Sequence, residues 1–262
     1  MPVPRLTAVT FHKMLGSGRN RPAVFACVNS ASTLAGDYVV KFSAGPQLGT
    51  SGSAREMIAS LLAAHCGVLS PPAAIVTINP ELQRHMAAQR NPEWDVLCRS
   101  THENFATAYL TDASTWPRGR EIPDGMLPAA ANLFAFDALI DNVDRRRENP
   151  NILARGDEIF AIDHELAFSF VHELFAREAA WRVARRSWLR DHVLYFQLRK
   201  RDHDFSAFIR RVSDLSAERL EALVREVPEA WRDESIGKIS DHLKDARDHA
   251  GEFRRQIPEA LA

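Results

Sequence analysis

Asp144 and Asn149 stand five positions apart in "VDRRRENPN", and Asp163 follows after "ILARGDEIFAI". An Asp, an Asn five residues later and a second Asp beyond a hairpin form the set that phosphoryl transfer to a hydroxyl needs. The first Asp orients or deprotonates the acceptor. The Asn and the second Asp are hard oxygen donors, suited to magnesium on the phosphates of ATP. The plainer alternative is that Asp144 and Asn149 cap a solvated loop and that Arg145, Arg146 and Arg147 line its wet face. What weighs against it is the setting: an apolar helix precedes the loop, and "IFAI" leads straight into Asp163.

A second group lies upstream. "YVVKF" places Lys41 inside an apolar strand, where a lone ammonium is costly. Glu56 falls near the start of the next helix, and a strand Lys paired with a helix Glu clamps the α and β phosphates of a nucleotide. Each residue has a bland reading, Lys41 snorkelling from an edge strand and Glu56 completing a helix cap. Coincidence is hard to sustain for both together with the Asp–Asn–Asp order. Between Met14 and Val24, "GSGRNRPA" supplies Gly16, Ser17 and Gly18, a candidate phosphate-covering loop in which glycines permit close backbone approach.

The elements that must position these residues follow from the pattern. "AVFACV" (23–28), "YVVKF" (38–42), "AAIVTI" (73–78) and "FATAYL" (105–110) read as strands. "SAREMIASLLAAHCGV" (53–68) reads as a helix, with Ser53 and Glu56 as a capping box and Gly67 as its end. "LPAAANLFAFDALIDN" (127–142) is apolar nearly all round and so a central helix. "NILA" and "EIFAID" form a hairpin across Arg155-Gly156-Asp157. Beyond Phe168 the pattern is helical, including 178–196 with Trp181, Trp188 and arginines at helical spacing. Ser216 caps a helix carrying Leu220, Leu223, Val224 and Val227, and the "DHD" at 202–204 is a helix-boundary cap. The expected organisation is a small β-rich lobe over residues 1–110, then a larger helical lobe over 111–262 with its connector near 111–126.

Composition narrows the class. A length of 262 residues suffices for two lobes with real cores. The formal net charge of -1 gives no global field for nucleic acid, so no direct nucleic-acid binding is expected. The odd set Cys27, Cys66 and Cys98, without a CxxC, argues against a disulfide framework or zinc site and for a reducing cytoplasm. No stretch is long and apolar enough to span a membrane.

In order and spacing, "GSGRNRPAVFACV", "YVVKF", "SAREMIASLLAAHCGVLSPP", "ALIDNVDRRRENPNIL" and "IFAIDHELAF" resemble the HipA-like kinases, bacterial relatives of the protein-kinase and phosphatidylinositol-kinase superfamily. The resemblance covers about residues 15 to 170. It implies an α+β, two-lobed kinase-like fold with ATP and magnesium in a cleft. Lys41 would be the phosphate-binding lysine and Glu56 its partner, Asp144 the catalytic Asp, and Asn149 and Asp163 the metal ligands. The acceptor would be a hydroxyl, most readily a Ser or Thr of a protein. A small molecule, a lipid headgroup, or a nucleotide-binding interaction module without transfer are the rival readings. The resemblance also makes Ser17 a candidate for inhibitory autophosphorylation. Two departures stand out: Arg146 where His is common, and His164-Glu165 in place of Phe-Gly. The large N-terminal extension of the toxin HipA proteins is absent from the sequence.

Overall fold

A computed structural model describes residues 2–16, 21–44, 49–91, 94–100, 102–173 and 178–262. Ser17 and Gly18 lie outside them. The chain is mixed α+β and divides into two compact units. One comprises Met1–Met57, Pro71–Thr111 and Glu226–Arg232; the other comprises Ile58–Ser70, Asp112–Arg225 and Asp233–Ala262.

Five strands build the first unit: β1 (Arg5–Met14), β2 (Ala23–Val28), β3 (Leu34–Lys41), β4 (Ala73–Ile78) and β5 (Asn104–Ala108). They close into a barrel in the order β1-β2-β3-β5-β4. Closure comes from β1 running parallel to β4, with Arg5 opposite Ile75 and Ala8 opposite Ile78. Two irregularities in the β1–β2 register, between Ala8 and Thr10 and between Phe11 and Lys13, give β1 the bends that a small closed sheet requires. Leu6, Ala8, Phe25, Cys27, Val40, Val76 and Ala106 fill the interior. A short helix, α2 (Pro80–Ala88), adds Met86; Asn79 caps it through bonds to the amides of Glu81 and Leu82. Then α3 (Asp95–Arg99) adds Leu97. Burial pushes the Cys27 thiol up to about 12, assisted by the nearby Asp37 charge, so this cysteine is an inert filler.

The helix expected from Ser53 begins earlier, as α1 (Gly49–Cys66), so Ser53 is an interior helical residue and not its cap. Its end is as expected. Gly67 adopts φ +72°, and the Val68 and Gly67 amides bond back to the carbonyls of Ala63 and Ala64, a Schellman closure that a glycine makes without steric cost.

In the second unit, α4 (Leu127–Ile140) is buried along nearly its whole length from Ala130 onward, as its largely apolar sequence requires. It stops because Asp141 turns left-handed at φ 50°. Strands β6 (Ser114–Thr115), β7 (Ile152–Arg155) and β8 (Glu158–Ala161) form a three-stranded sheet. The expected hairpin is its β7–β8 pair, with Arg155 opposite Glu158.

Helices α5 (Tyr195–Leu198), α6 (Ser206–Ser213), α7 (Ala217–Glu226), α8 (Ser235–Asp248) and α9 (Ala250–Ala260) complete the list. Ser216 does bond the amide of Arg219, and Asp204 that of Ser206, as helix-start residues.

The helix expected over 178–196 is not formed; a 3-10 turn, Ser187–Asp191, appears there, and α5 begins only at Tyr195. The backbone there is bound to its surroundings instead. Asp245 takes the Ala180 amide, Gln256 takes the Ala184 amide, and Arg186 holds the carbonyls of Ala138 and Ala180.

Candidate active site

Lys41 is the last residue of β3, a strand flanked by β2 and β5, so it is not an edge position. Its Nζ lies 2.9 Å from Glu56 Oε2. Glu56 is almost wholly buried on α1, whereas the Lys41 side chain keeps 21% of its exposure. A buried carboxylate thus fixes a cation that stays partly exposed. Gly16, on the β1–β2 connection, has φ +67° and open space where a Cβ would stand.

In the second unit, Asp144 follows the turn that ends α4. Its Oδ2 accepts from Asn149 Nδ2 at 2.6 Å and from Asn151 Nδ2 at 3.2 Å. Arg146 lies 3.5 Å from its other oxygen. Asn151 was not anticipated as part of this site. Its left-handed backbone, φ 49°, turns the chain into β7 with the amide aimed at Asp144.

Asp163 sits just past β8, also left-handed at φ 59°. The Ile162 amide bonds the Asn151 carbonyl at 3.0 Å. The loop bearing Asp144 and Asn149 is therefore tied by backbone to the residue preceding Asp163. His164 is wholly buried, with its ring edge-on to Phe136, so the segment after Asp163 is anchored inward by this histidine.

What holds both loops is Arg145, the first of a run that looked uniformly solvated. Arg146 and Arg147 are exposed, yet Arg145 is fully buried. Its Nε donates to Asp137 Oδ2 at 2.5 Å, and its Nη1 donates to the carbonyls of both Asn151 and Ile162. Asn142 donates to the other Asp137 oxygen at 2.9 Å. His192 also binds Oδ2, Nε2 at 3.0 Å. One buried carboxylate on α4, saturated by three donors, thus orients the guanidinium that joins the two loops. The available signal was Asp137 itself, since a single acid in an otherwise apolar helix demands a buried partner.

Burial acts to raise the Asp137 carboxyl, but Arg145 and His192 together hold it down at about 2. Burial lowers His192 against the opposing pull of Asp137. Its Nδ1 accepts from the Leu194 amide at 3.2 Å, so the ring is neutral with the proton on Nε2. A second proton would meet that amide head-on.

Stability should accordingly be full above the ordinary His value of 6.5 and fall as pH drops below it, because the unfolded chain takes up a proton the folded ring resists. A second loss should follow below the ordinary Asp value of 3.8, as Asp137 titrates toward about 2. Urea titration on either side of pH 6.5 checks the first. His192→Gln, which can still donate to Asp137, should flatten that dependence; an unchanged slope would refute the assignment.

The structure thus has a lysine–glutamate pair at the end of a barrel strand and an Asp–Asn–Asp set spanning a β-hairpin. The chain belongs to the HipA-like kinases: the model of that family matches residues 11–256. It is accordingly a kinase. Among solved structures it is similar to the crystal structure of a Helicobacter pylori proinflammatory kinase, CtkA, at 12% identity over 99% of this chain and 96% of that one, with a TM-score of 0.44. No curated protein matches it. Among the described residues, no helix is long and apolar enough to cross a membrane.

Proposed function

We propose that this kinase moves the γ-phosphate of ATP to a hydroxyl, with Ser or Thr of a protein as the acceptor. The observation that carries the reading is the Asp144 carboxylate, held by the amides of Asn149 and Asn151 in the loop that Arg145 ties to the Asp163 turn. In this reading the segment 1–110 carries the phosphate clamp of a two-lobed kinase, and 111–262 the catalytic groups.

The donor set fits magnesium. Among the described residues no group of three or more His, Cys, Asp or Glu is placed to hold a metal. A site of one carboxylate and one amide oxygen, completed by substrate phosphates, is how magnesium is ordinarily held. Asp163 and Asn149 would hold it. Asn149 directs its nitrogen at Asp144, which leaves the amide oxygen as the atom for a cation. Magnesium, when bound, would neutralise the charge of the terminal phosphates. Asp144 orients the acceptor hydroxyl and takes its proton; the two amides that fix the carboxylate keep it aimed without neutralising it. Lys41, held by Glu56, binds the phosphates as a point charge.

Lys41→Ala should reduce transfer of labelled γ-phosphate on the order of a hundredfold, the scale of a lost electrostatic contact to transferring phosphate. Measured turnover at saturating ATP checks this, with thermal melting to confirm folding. Turnover equal to the parent would remove Lys41 from the phosphate site.

A further inference from the structure

Beside Asp144 lies a cationic surface that the proposed chemistry does not use. Phe196, on α5, is 52% exposed, an uncommon state for so large an apolar ring in a chain with few exposed large hydrophobics. Arg147 lies over it at 4.0 Å from the ring centroid and Arg199 at 5.6 Å. Both guanidiniums lie within cation–π distance of this exposed ring, Arg147 exposed and Arg199 half-buried.

Arg118 reaches the same loop by donating to the Glu148 carbonyl at 2.9 Å. Arg146, next to Arg147 in the chain and 54% exposed in its side chain, reaches 3.5 Å from the Asp144 carboxylate. Among the described residues neither Arg147 nor Arg199 has a carboxylate within ion-pair distance. Three separate chain segments therefore deliver fixed, unneutralised guanidinium forks to one rim of the loop that carries the acceptor-orienting Asp.

We propose that this rim docks an acidic acceptor: a protein segment whose Ser or Thr is flanked by Asp or Glu. The proposal rests on the kinase reading above and names the acceptor class for it. Guanidinium forks match carboxylates in shape as well as charge, and their stacking on Phe196 means little freedom is lost on pairing. A nucleic acid would offer anions too, but the net charge of -1 provides no field to gather a polyanion, and the patch is only a few residues across.

The test is fluorescence anisotropy of the full chain with three labelled peptides: a serine flanked by Glu and Asp, the same with Gln and Asn, and the same with Lys. A single-stranded oligonucleotide of equal charge serves as a fourth probe. The acidic peptide should bind tightest and lose affinity with salt. The double variant R147E/R199E should weaken it about tenfold, the sum expected of one exposed and one half-buried charge contact, with affinity for a magnesium-bound non-hydrolysable ATP analogue unchanged. Thermal melting shows whether this surface variant folds. Equal binding of acidic and basic peptides, tighter binding of the oligonucleotide, or a loss of nucleotide affinity in the variant would each overturn the proposal. Because docking is read without turnover, those failures are distinct from an absence of phosphoryl transfer, which would strike the kinase reading itself.

Discussion

Arg145→Ala should destabilise the protein by about 3–5 kcal/mol, the cost of removing one partner from a buried ion pair. The Asp137 carboxylate would remain with no route to water and without its guanidinium partner. The carbonyls of Asn151 and Ile162 would each lose a donor in the interior. By the same argument Asp137→Ala should be comparably damaging, since it strands the guanidinium and the His192 N–H.

The double variant Asp137→Leu with Arg145→Met separates charge from packing. Replacing a buried pair by apolar groups of similar size is often close to neutral, so part of the lost stability should return, the rest staying lost because the His192 N–H and the Asn142 amide still lack the Asp137 acceptor. Activity should not return with it, because the guanidinium clamp is gone and only the Ile162–Asn151 backbone bond then ties the 149–151 loop to the turn before Asp163. Equilibrium urea unfolding and a transfer assay on the three variants check both halves. A cost for Arg145→Ala within about 0.5 kcal/mol, the range of an ordinary surface change, would contradict the clamp.

Asp144→Asn and Asp163→Asn should fail differently, although each removes one negative charge. Asp163 is proposed to touch the cation directly. Its loss as a carboxylate weakens a hard-cation site, so affinity for magnesium-bound nucleotide and turnover should fall together. Asp144 is proposed to face the acceptor. Asp144→Asn keeps the shape of the side chain and should leave nucleotide affinity near that of the parent, while transfer drops by about two to four orders of magnitude, the range for a lost general base and its orientation. Asn at 144 would also set an NH2 or a weaker acceptor against the Asn149 and Asn151 amides, disturbing the aim of the loop. Calorimetric titration with a non-hydrolysable analogue, beside the transfer assay, distinguishes the two. Parallel losses of affinity in both variants would mean that the roles are misassigned.

How far the sequence disclosed this molecule varied with how local each feature is. Strand β2, the β7–β8 hairpin and helix α4 were legible because their periodicity and turn residues are self-contained. Strand β1 was not. Its alternation is interrupted at the two irregular registers, so "RLTAVTFHKM" shows no steady period of two. Closure of the barrel depends on a parallel pairing between residues about seventy apart, which no window can reveal. Lys41 and Glu56 could be paired from sequence because a charge inside an apolar strand poses its own question. Arg145 could not, since three consecutive arginines look alike; what distinguishes it is the direction the chain takes after the left-handed Asp141. The stretch 178–196 misled because aromatic and basic residues at helical spacing fit a helix, while its amides found partners on Asp245 and Gln256 instead.

The most direct measurement of the central claim is the fate of labelled γ-phosphate. Purified protein is incubated with γ-labelled ATP, magnesium and lysate protein, and the label is located by mass and by chemical stability. The account predicts an acid-stable phosphate ester on Ser or Thr, formed by the parent chain and absent with Asp144→Asn. Label recovered only as inorganic phosphate, or protein labelling undiminished by Asp144→Asn, would contradict it.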